Sequence, residues 1–409
     1  MSSIFDKIAH RFTPEEIGVT LVTIVTALPL IHVPGNALVS IQLQSLSLVM
    51  LGVIVMAHKP FFDVLWTNLR ALGLASKIGL ALFVTLAGIS SFLSHVQPLA
   101  QTLLGGIPEY IGLAQWFSFI ILGFIAQDQF KNIKNSFAIP LIVSIVVLLS
   151  IFSDRALLFT DFQLSGLLFQ ATSLALYACL GTAFLLGNFT RHYKKRPILT
   201  IACLAVLTTG VFLAQSRIGL FAYALMCAVS LSIKPTRIKT LILGLTAMLM
   251  IIAHLVSPHF SSRYQSEAVS NGLQYRRSIY TTSIREIGHK HLIIGNGAGA
   301  HPEYLNQQKE VPADIANDLH TGLRFASAHD LLIDIGLMFG LIPCLAAILA
   351  ILCVSCRYLV VIRYAEVPLT LAFFVLLFGV LINVPSLTLT PLFIIFLIAG
   401  LSTQHAHRR

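Results

Sequence analysis

The sequence predicts an all-α, polytopic membrane protein, and its composition and hydropathy pattern carry that prediction. Hydrophobic residues make up 56% of the 409 residues and charged residues only 11%, whereas soluble domains carry about 25% charged residues. The mean hydropathy is +0.84. Apolar runs of about 20 residues recur along the chain, and each is long enough to cross about 30 Å of hydrocarbon.

About twelve apolar segments are predicted to cross the membrane. They are 16–33, 38–57, 77–96, 108–126, 136–153, 167–188, 197–214, 217–233, 239–256, 329–355, 365–383 and 387–402. These segments divide the chain into three parts. An N-terminal bundle of about nine helices covers residues 1–256, a large hydrophilic loop covers 257–328, and about three C-terminal helices with a tail cover 329–409.

Basic residues cluster in alternate loops, which orients the predicted bundle. The basic loops lie at 59–77, 131–134, 191–196, 234–239 and 357–363. The loops at 34–37, 97–107 and 384–386 contain neither Lys nor Arg. Both termini are therefore expected in the cytoplasm, and the large loop is expected on the external face. Topology explains the formal charge of +10, so nucleic acid is not expected as a partner.

The six cysteines all fall within or at the ends of predicted spans, and none lies in the large loop. No disulfide framework is therefore expected. Cys353 and Cys356 form a C-x-x-C pair. Because no second pair and no nearby histidine complete a zinc site, no metal is predicted.

The large loop is predicted to contain two helices joined by a glycine-rich turn. Apolar and small residues at helical spacing predict a helix over 273–290, and they are Ile279, Ser283, Ile284 and Ile287. Gly295, Gly297 and Gly299 then break the pattern, and a second helix is predicted over 302–320. The glycines could mimic a phosphate loop, but no strand precedes them. A close turn between helices is the better interpretation.

Three arginines on the external side are candidates for binding an anion. Arg217 lies between two predicted spans, against the positive-inside trend. A guanidinium cannot deprotonate to escape the cost of membrane depth, so an anionic partner is expected; the alternative is an interfacial arginine that snorkels. Arg276 and Arg277 are adjacent, and on a helix at most one of them faces the bundle. Arginine suits phosphate because its planar fork donates two parallel hydrogen bonds, and a solvated charged face is the alternative.

Three ionisable residues open the predicted span 329–355. Asp330 is expected to cap the helix or to serve as a first-turn acid, because anions are favoured at a helix N-terminus. His329 titrates near neutral pH and could act as a base, as an acid or as a donor to phosphate; a bland interfacial histidine is the alternative. Asp334 lies one turn deeper and needs a partner.

The order of these elements resembles the O-antigen ligase and polymerase superfamily. The resemblance spans the topology, and its specific residues lie within 215–340. They are Ser216 and Arg217 opening a helix, Arg276 four residues before Tyr280, the turn Gly295-Asn296-Gly297, and His329 starting a helix with Gly336 and Gly340. Two departures are Tyr280, where the family often has tryptophan, and Asp330, where it often has asparagine.

The resemblance implies a GT-C-like glycosyltransferase architecture in a bacterial inner membrane, with the large loop in the periplasm. It implies a metal-independent transfer without a cofactor. The donor would be a glycan linked to undecaprenyl pyrophosphate, and the acceptor would be the lipid A-core. An O-antigen ligase is the first expectation and an O-antigen polymerase the second. A polysaccharide or lipid transporter is less favoured, because it predicts charges near the midplane of the spans.

The same resemblance assigns roles to individual residues. Arg217, Arg276 and His329 would be catalytic, since a leaving pyrophosphate needs cations where its charge develops. Substrate binding would involve Arg217, Arg276, Arg277, Tyr280 and Asp330. His329 would be either the base that deprotonates the acceptor hydroxyl or a second contact to the pyrophosphate, and these two roles predict different pH profiles.

Overall fold

A computed structural model provides the three-dimensional description of the chain. It describes residues 14–33, 36–94, 98–105, 111–127, 133, 135–153, 166–168, 170–233, 235–256, 266–299, 330–361, 367–382 and 388–402. Among these residues there are 17 α-helices and no strand. The all-α class predicted from the sequence is confirmed.

Most helices follow the predicted apolar segments, whereas those at Lys59–Ala71, Leu99–Leu104 and Phe189–Lys195 lie mainly in predicted loops. The first nine are α1 (Pro14–Ala27), α2 (Ala37–Ala57), α3 (Lys59–Ala71), α4 (Leu74–Phe92), α5 (Leu99–Leu104), α6 (Leu113–Ala126), α7 (Ala138–Ser153), α8 (Ala171–Gly187) and α9 (Phe189–Lys195). The others are α10 (Pro197–Leu213), α11 (Arg217–Ile233), α12 (Arg237–Val256), α13 (Ser266–Lys290), α14 (Leu331–Phe339), α15 (Leu341–Val361), α16 (Val367–Ile382) and α17 (Leu389–Ser402).

Several of these helices have the length and apolar composition of membrane spans. In the described part of the chain, 3 helices suffice to cross a membrane, namely Val39–Ala57, Leu74–Phe92 and Leu341–Val360. The pair α8 and α9 adds a fourth if it counts as one span, bent by 79°. Further apolar helices of 10–17 residues accompany them. This architecture is that of a polytopic membrane protein, and the count of about twelve spans stays a prediction.

The centre of the bundle is α8, and it is buried along almost its whole length. It packs against α7, α10, α11 and α16. A helix that is apolar on every side and buried on every side belongs in an interior. By contrast, α2, α4 and α15 expose large apolar side chains such as Leu46, Leu82 and Leu349. Those exposed faces suit contact with lipid.

The predicted span 329–355 is wrong as a single helix, because Gly340 divides it into α14 and α15. Gly340 has φ 101°, in a region that is open essentially to glycine alone. The thiol of Cys344 donates to the carbonyl of Leu332 at 3.2 Å, so α14 folds back against the start of α15. Both sides of the break are apolar, and hydropathy therefore could not reveal it.

The first predicted helix of the large loop is confirmed and is longer than expected. It lies within α13, and Ile279, Ser283 and Ile287 are buried as their spacing required. Ile284 is instead 58% exposed. A Cβ atom on Gly336 of α14 would lie 2.6 Å from Ile287 Cδ1, so this glycine lets the two helices approach closely. The second predicted helix, over 302–320, lies outside the described residues.

Candidate functional site

The candidate site lies where α13 meets the C-terminal end of α16 and the N-terminal end of α14. Arg276, on α13, donates from Nη1 to the carbonyl oxygen of Ile382, the last residue of α16, at 2.8 Å. A cation is favourable at a helix C-terminus, where carbonyl groups lack intrahelical partners. A guanidinium carries five N–H donors in a fixed fork. The contact with Ile382 uses one nitrogen, so further donors remain for a ligand.

Tyr280 lies one turn after Arg276 and joins it to α14. Burial raises the pKa of Tyr280, and the nearby charge of Asp330 raises it further. The charge of Arg276 and a hydrogen bond with its side chain act in the opposite direction on the same pKa. Asp334 also acts on Tyr280 and is only 2% exposed. The structure thus pairs Arg276 with Tyr280 and places Asp330 and Asp334 close enough to act electrostatically on Tyr280.

Asp330 is the N-cap of α14, as the sequence suggested. Its Oδ1 atom accepts hydrogen bonds from the backbone N–H groups of Leu332 at 2.8 Å and Ile333 at 3.2 Å. These bonds satisfy donors that a helix N-terminus otherwise leaves unpaired. Burial raises the pKa of Asp330, and the two backbone bonds partly offset that rise. The cap fixes one oxygen, while Oδ2 is not used in capping.

Two substitutions distinguish the capping role of Asp330 from the effect of its charge. Asparagine caps a helix as well as aspartate does, so Asp330→Asn should keep α14 intact, whereas Asp330→Ala should lose about 1 kcal/mol of stability. Thermal unfolding of the purified protein in detergent measures this difference. An asparagine variant as unstable as the alanine variant would contradict the capping role.

The pH dependence of the same variants tests the raised pKa of Asp330. Because burial raises this pKa, folding favours the protonated acid. The stability contributed by this group is present below about pH 4, near the ordinary aspartate pKa, and is lost as the pH rises through the raised value. We therefore expect Asp330→Asn to be more stable than wild type at neutral pH and equal to it below about pH 4. A constant difference across this range would be the contrary result.

The backbone N–H groups of the glycine-rich turn form hydrogen bonds within the protein, which favours the predicted close turn over a phosphate loop. Each backbone N–H from 295 to 299 donates to a protein acceptor. The bonds run from Gly295 to Ser90 Oγ (3.1 Å), Asn296 to Leu337 O (2.9 Å), Gly297 to Met338 O (2.8 Å), Ala298 to Ser91 Oγ (3.2 Å) and Gly299 to Met338 Sδ (3.3 Å). A phosphate loop needs amides that point at its ligand. These five amides are occupied, so the turn does not form such a cradle.

The serines that hold this turn were missed in the sequence. Ser90 and Ser91 lie in the last turn of α4 and Ser94 follows it, and Ser94 Oγ donates to Asn296 O at 2.5 Å. A Cβ atom on Gly297, which has φ 95°, would lie 2.7 Å from Ser94 Cβ. The signal was present as "SSFLS", a group of hydroxyls that ends an otherwise apolar helix.

Arg217 is the first residue of α11 and is exposed. The turn before it is tight, with Gln215 at φ 49°, and Ser216 Oγ accepts from the N–H of Gly219 at 3.2 Å. Within the described ranges, Arg217 makes no hydrogen bond or ion pair. The structure therefore does not join Arg217 to Arg276 by a direct contact.

Packing nevertheless places Arg217 at the same end of the bundle as Arg276. Phe221 lies one turn after Arg217 on α11, and its ring centroid is 5.7 Å from that of Phe378 on α16. Phe378 lies one turn before Ile382, whose carbonyl binds Arg276. The two arginines are thus associated with neighbouring helices at matching heights.

Two further predicted site residues, Arg277 and His329, are not part of the contacts described above. Arg277 is exposed, so Arg276 is the member of the pair that faces the bundle. His329 lies outside the described residues, although its neighbour Asp330 marks where α14 begins. Cys353 and Cys356 are exposed and unbridged. Where side chains are described, no group of ≥ 3 His, Cys, Asp or Glu could hold a metal ion, and the absence of a metal from the reaction stays a prediction.

Comparison with known proteins places this site inside one family domain. Residues 201–343 match the family described as O-Antigen ligase. No curated protein matches the chain. The matched segment runs from α10 to the start of α15 and contains Arg217, Arg276, Tyr280 and Asp330. This match over residues 201–343 confirms the resemblance of the chain to the O-antigen ligase and polymerase superfamily.

Proposed function

We propose that the protein is an O-antigen ligase of the bacterial inner membrane. It transfers a glycan from undecaprenyl pyrophosphate to the lipid A-core on the periplasmic face. The observation that carries this proposal is the half-buried Arg276, held at the end of α16 and hydrogen-bonded with Tyr280 within the matched segment. The family supports a ligase or a polymerase, and the donor, acceptor and residue roles are part of the proposal.

Arg276 and Arg217 bind the pyrophosphate of the donor. A lipid pyrophosphate is a leaving group whose negative charge grows as its bond to the sugar breaks, and cations aimed at that charge lower the barrier. The contact to Ile382 holds the Arg276 guanidinium in place before substrate arrives. Arg217 has no carboxylate partner among the described residues, so its charge is available to the second phosphate. The occupied amides of the glycine turn leave this task to side chains.

The transfer is a single displacement at the anomeric carbon. The acceptor hydroxyl oxygen forms the new bond to that carbon, and the bond to the pyrophosphate oxygen breaks with its electron pair. The hydroxyl proton passes to a base, for which His329, two residues before α14 in the sequence, is the proposed group. If His329 instead contacts phosphate, the rate has no acid-side loss near a histidine pKa. Asp330 Oδ2, which is not used in capping, accepts a hydrogen bond from a sugar hydroxyl.

Deletion of the gene tests the proposal and separates the alternatives. With a ligase deleted, surface lipopolysaccharide loses every band that bears O-antigen, while lipid-linked polymer accumulates. Loss of a polymerase leaves a band with a single repeat. An unchanged banding pattern would contradict both functions. Purified protein given lipid-linked glycan and lipid A-core should form the linked product, and a transporter would carry out no such chemistry.

A further inference from the structure

A short basic helix, α9, lies at the end of the bundle opposite to the candidate site. It follows α8 with a bend of 79°, so it turns almost perpendicular to the central helix and runs along the surface of the bundle. From α9 the chain continues into α10, which ends just before Arg217. A helix of this length spans about 25 Å. The length of α10 therefore separates α9 from Arg217, which lies at the same end of the bundle as Arg276.

One face of α9 anchors it to the bundle. Phe189, His192 and Tyr193 share that face, because they stand at i, i+3 and i+4. Phe189 and His192 are buried, the rings of Phe189 and Tyr193 stack at 5.5 Å, and the His192 ring lies 5.0 Å from Phe137. The aromatic face thus fixes the rotation of the helix about its axis.

The opposite face of α9 carries only cations. Arg191, Lys194 and Lys195 repeat the same i, i+3, i+4 spacing two residues later, so they lie on the far side, and all three are exposed. Arg196 follows, also exposed, with its guanidinium 5.5 Å from the Phe137 ring. In the described part of the chain, none of these four cations has a carboxylate partner. Like charges at this spacing repel one another, and an anionic ligand would relieve that repulsion.

His192 reports the positive potential of this region. Burial and the charges of Arg191, Arg196 and Lys195 lower the pKa of His192 to about 4. The imidazole is therefore neutral at physiological pH, so it can stay in the buried face while the cations remain outside.

We propose that α9 binds the phosphodiester headgroups of anionic phospholipids on the membrane surface opposite to the candidate site. The aromatic face of α9 packs on the bundle, and its outer face presents a row of exposed cations that have no carboxylate partner among the described residues. Basic residues next to a membrane surface attract anionic lipid over a distance of about one Debye length. A bilayer surface offers several phosphates at once, which matches a row of cations better than a single soluble phosphate does. The proposal is independent of the transfer reaction.

The test uses the full-length protein purified in a neutral detergent. Dioctanoyl phosphatidylglycerol is titrated in, and the rise of the unfolding midpoint gives an apparent affinity. The variant Arg191→Gln/Lys194→Gln/Lys195→Gln should bind about 100-fold more weakly, since each cation contributes about fivefold. A matched control, Lys59→Gln/Arg70→Gln/Lys77→Gln, removes the same charge from exposed residues elsewhere and should bind as wild type does. Wild-type binding should also weaken in 0.5 M salt, at about a 4 Å screening length.

Several results would overturn the proposal. Equal losses in both triple variants would mean diffuse attraction rather than a site on α9, and no loss in either would exclude the site. Equal binding of dioctanoyl phosphatidylcholine would exclude selection by charge. Competition by inorganic phosphate at the same concentration would indicate a site for soluble anions.

Binding of a poly-glutamate peptide without binding of the lipid would assign the surface to an acidic protein segment. If the triple variant does not fold, the single variant Arg191→Gln should still show a fivefold loss, and unaltered binding by it would reject the site.

Discussion

Replacement of Arg276 by alanine should reduce O-antigen transfer by about 100- to 1000-fold, the range measured when one oriented donor to a developing charge is removed. The expectation follows from the position of the guanidinium, which the Ile382 carbonyl holds at the end of α16 and which hydrogen-bonds with Tyr280. Its other N–H donors would then meet the leaving pyrophosphate without reorganisation. Transfer by purified protein from lipid-linked donor to lipid A-core is the measurement.

Arg277 supplies the matched control for this prediction. It is the adjacent residue with the same charge, but it is exposed. Arg277→Ala should change the rate by no more than about fivefold, because an exposed charge contributes about 1 kcal/mol or less. Arg276→Lys should recover little activity, since an ammonium group lacks the planar fork that contacts Ile382 and phosphate together. A larger loss from Arg277→Ala than from Arg276→Ala would refute the assignment.

Loss of stability must be separated from loss of chemistry in the Arg276 variants. The alanine variant also removes the hydrogen bond to Ile382, and a hydrogen bond from a charged group contributes about 1.5–3 kcal/mol. The unfolding midpoint of each variant should therefore be measured beside its rate. If Arg276→Ala loses transfer only above its lowered unfolding midpoint, the residue is structural and the proposed role is wrong.

Gly340→Ala should destabilise the folded protein by about 3 kcal/mol or more. The φ of 101° at Gly340 disfavours any residue with a Cβ atom. A Cβ built at this position would lie 2.5 Å from the backbone oxygen of Ile293, and a backbone atom cannot move aside as a flexible side chain can. The yield of folded protein and its unfolding midpoint measure the effect.

Gly288 gives the opposite expectation for the same chemical change. It lies in α13, and a Cβ atom there would meet nothing within 4 Å. Gly288→Ala should therefore stabilise the protein by about 0.5–1 kcal/mol, because alanine restricts the unfolded chain and favours the helix. Similar effects from the two substitutions would show that the joint at Gly340 does not depend on its backbone conformation.

The elements predicted correctly are those whose signals are local. The spacing of Ile279, Ser283 and Ile287 was sufficient to predict α13. All three are buried, which confirms the predicted buried face of the helix. The capping role of Asp330 is also local, since the acid acts on amides two and three residues away. The prediction was wrong for Ile284, which is exposed because it directly follows the buried Ser283 and points about 100° away from it around the helix.

The features that escaped prediction depend on distant contacts. Arg276 and Ile382 are 106 positions apart, and no periodicity links an arginine in the large loop to a carbonyl at the end of a later helix. The sign of φ at Gly340 also cannot be read from apolar neighbours on both sides. The pairing of Ser90 and Ser91 with the glycine turn depends on residues 205 and 207 positions away.

The segment from His291 to Gly299 supplies hydrogen-bond partners that water supplies at the ends of helices in soluble proteins. A helix break next to lipid exposes backbone groups that no water can satisfy. Here the carbonyls of Leu337 and Met338 accept from Asn296 and Gly297, and the N–H of Leu341 donates to the carbonyl of His291. The reversal between α14 and α15 is thus solvated by the protein itself.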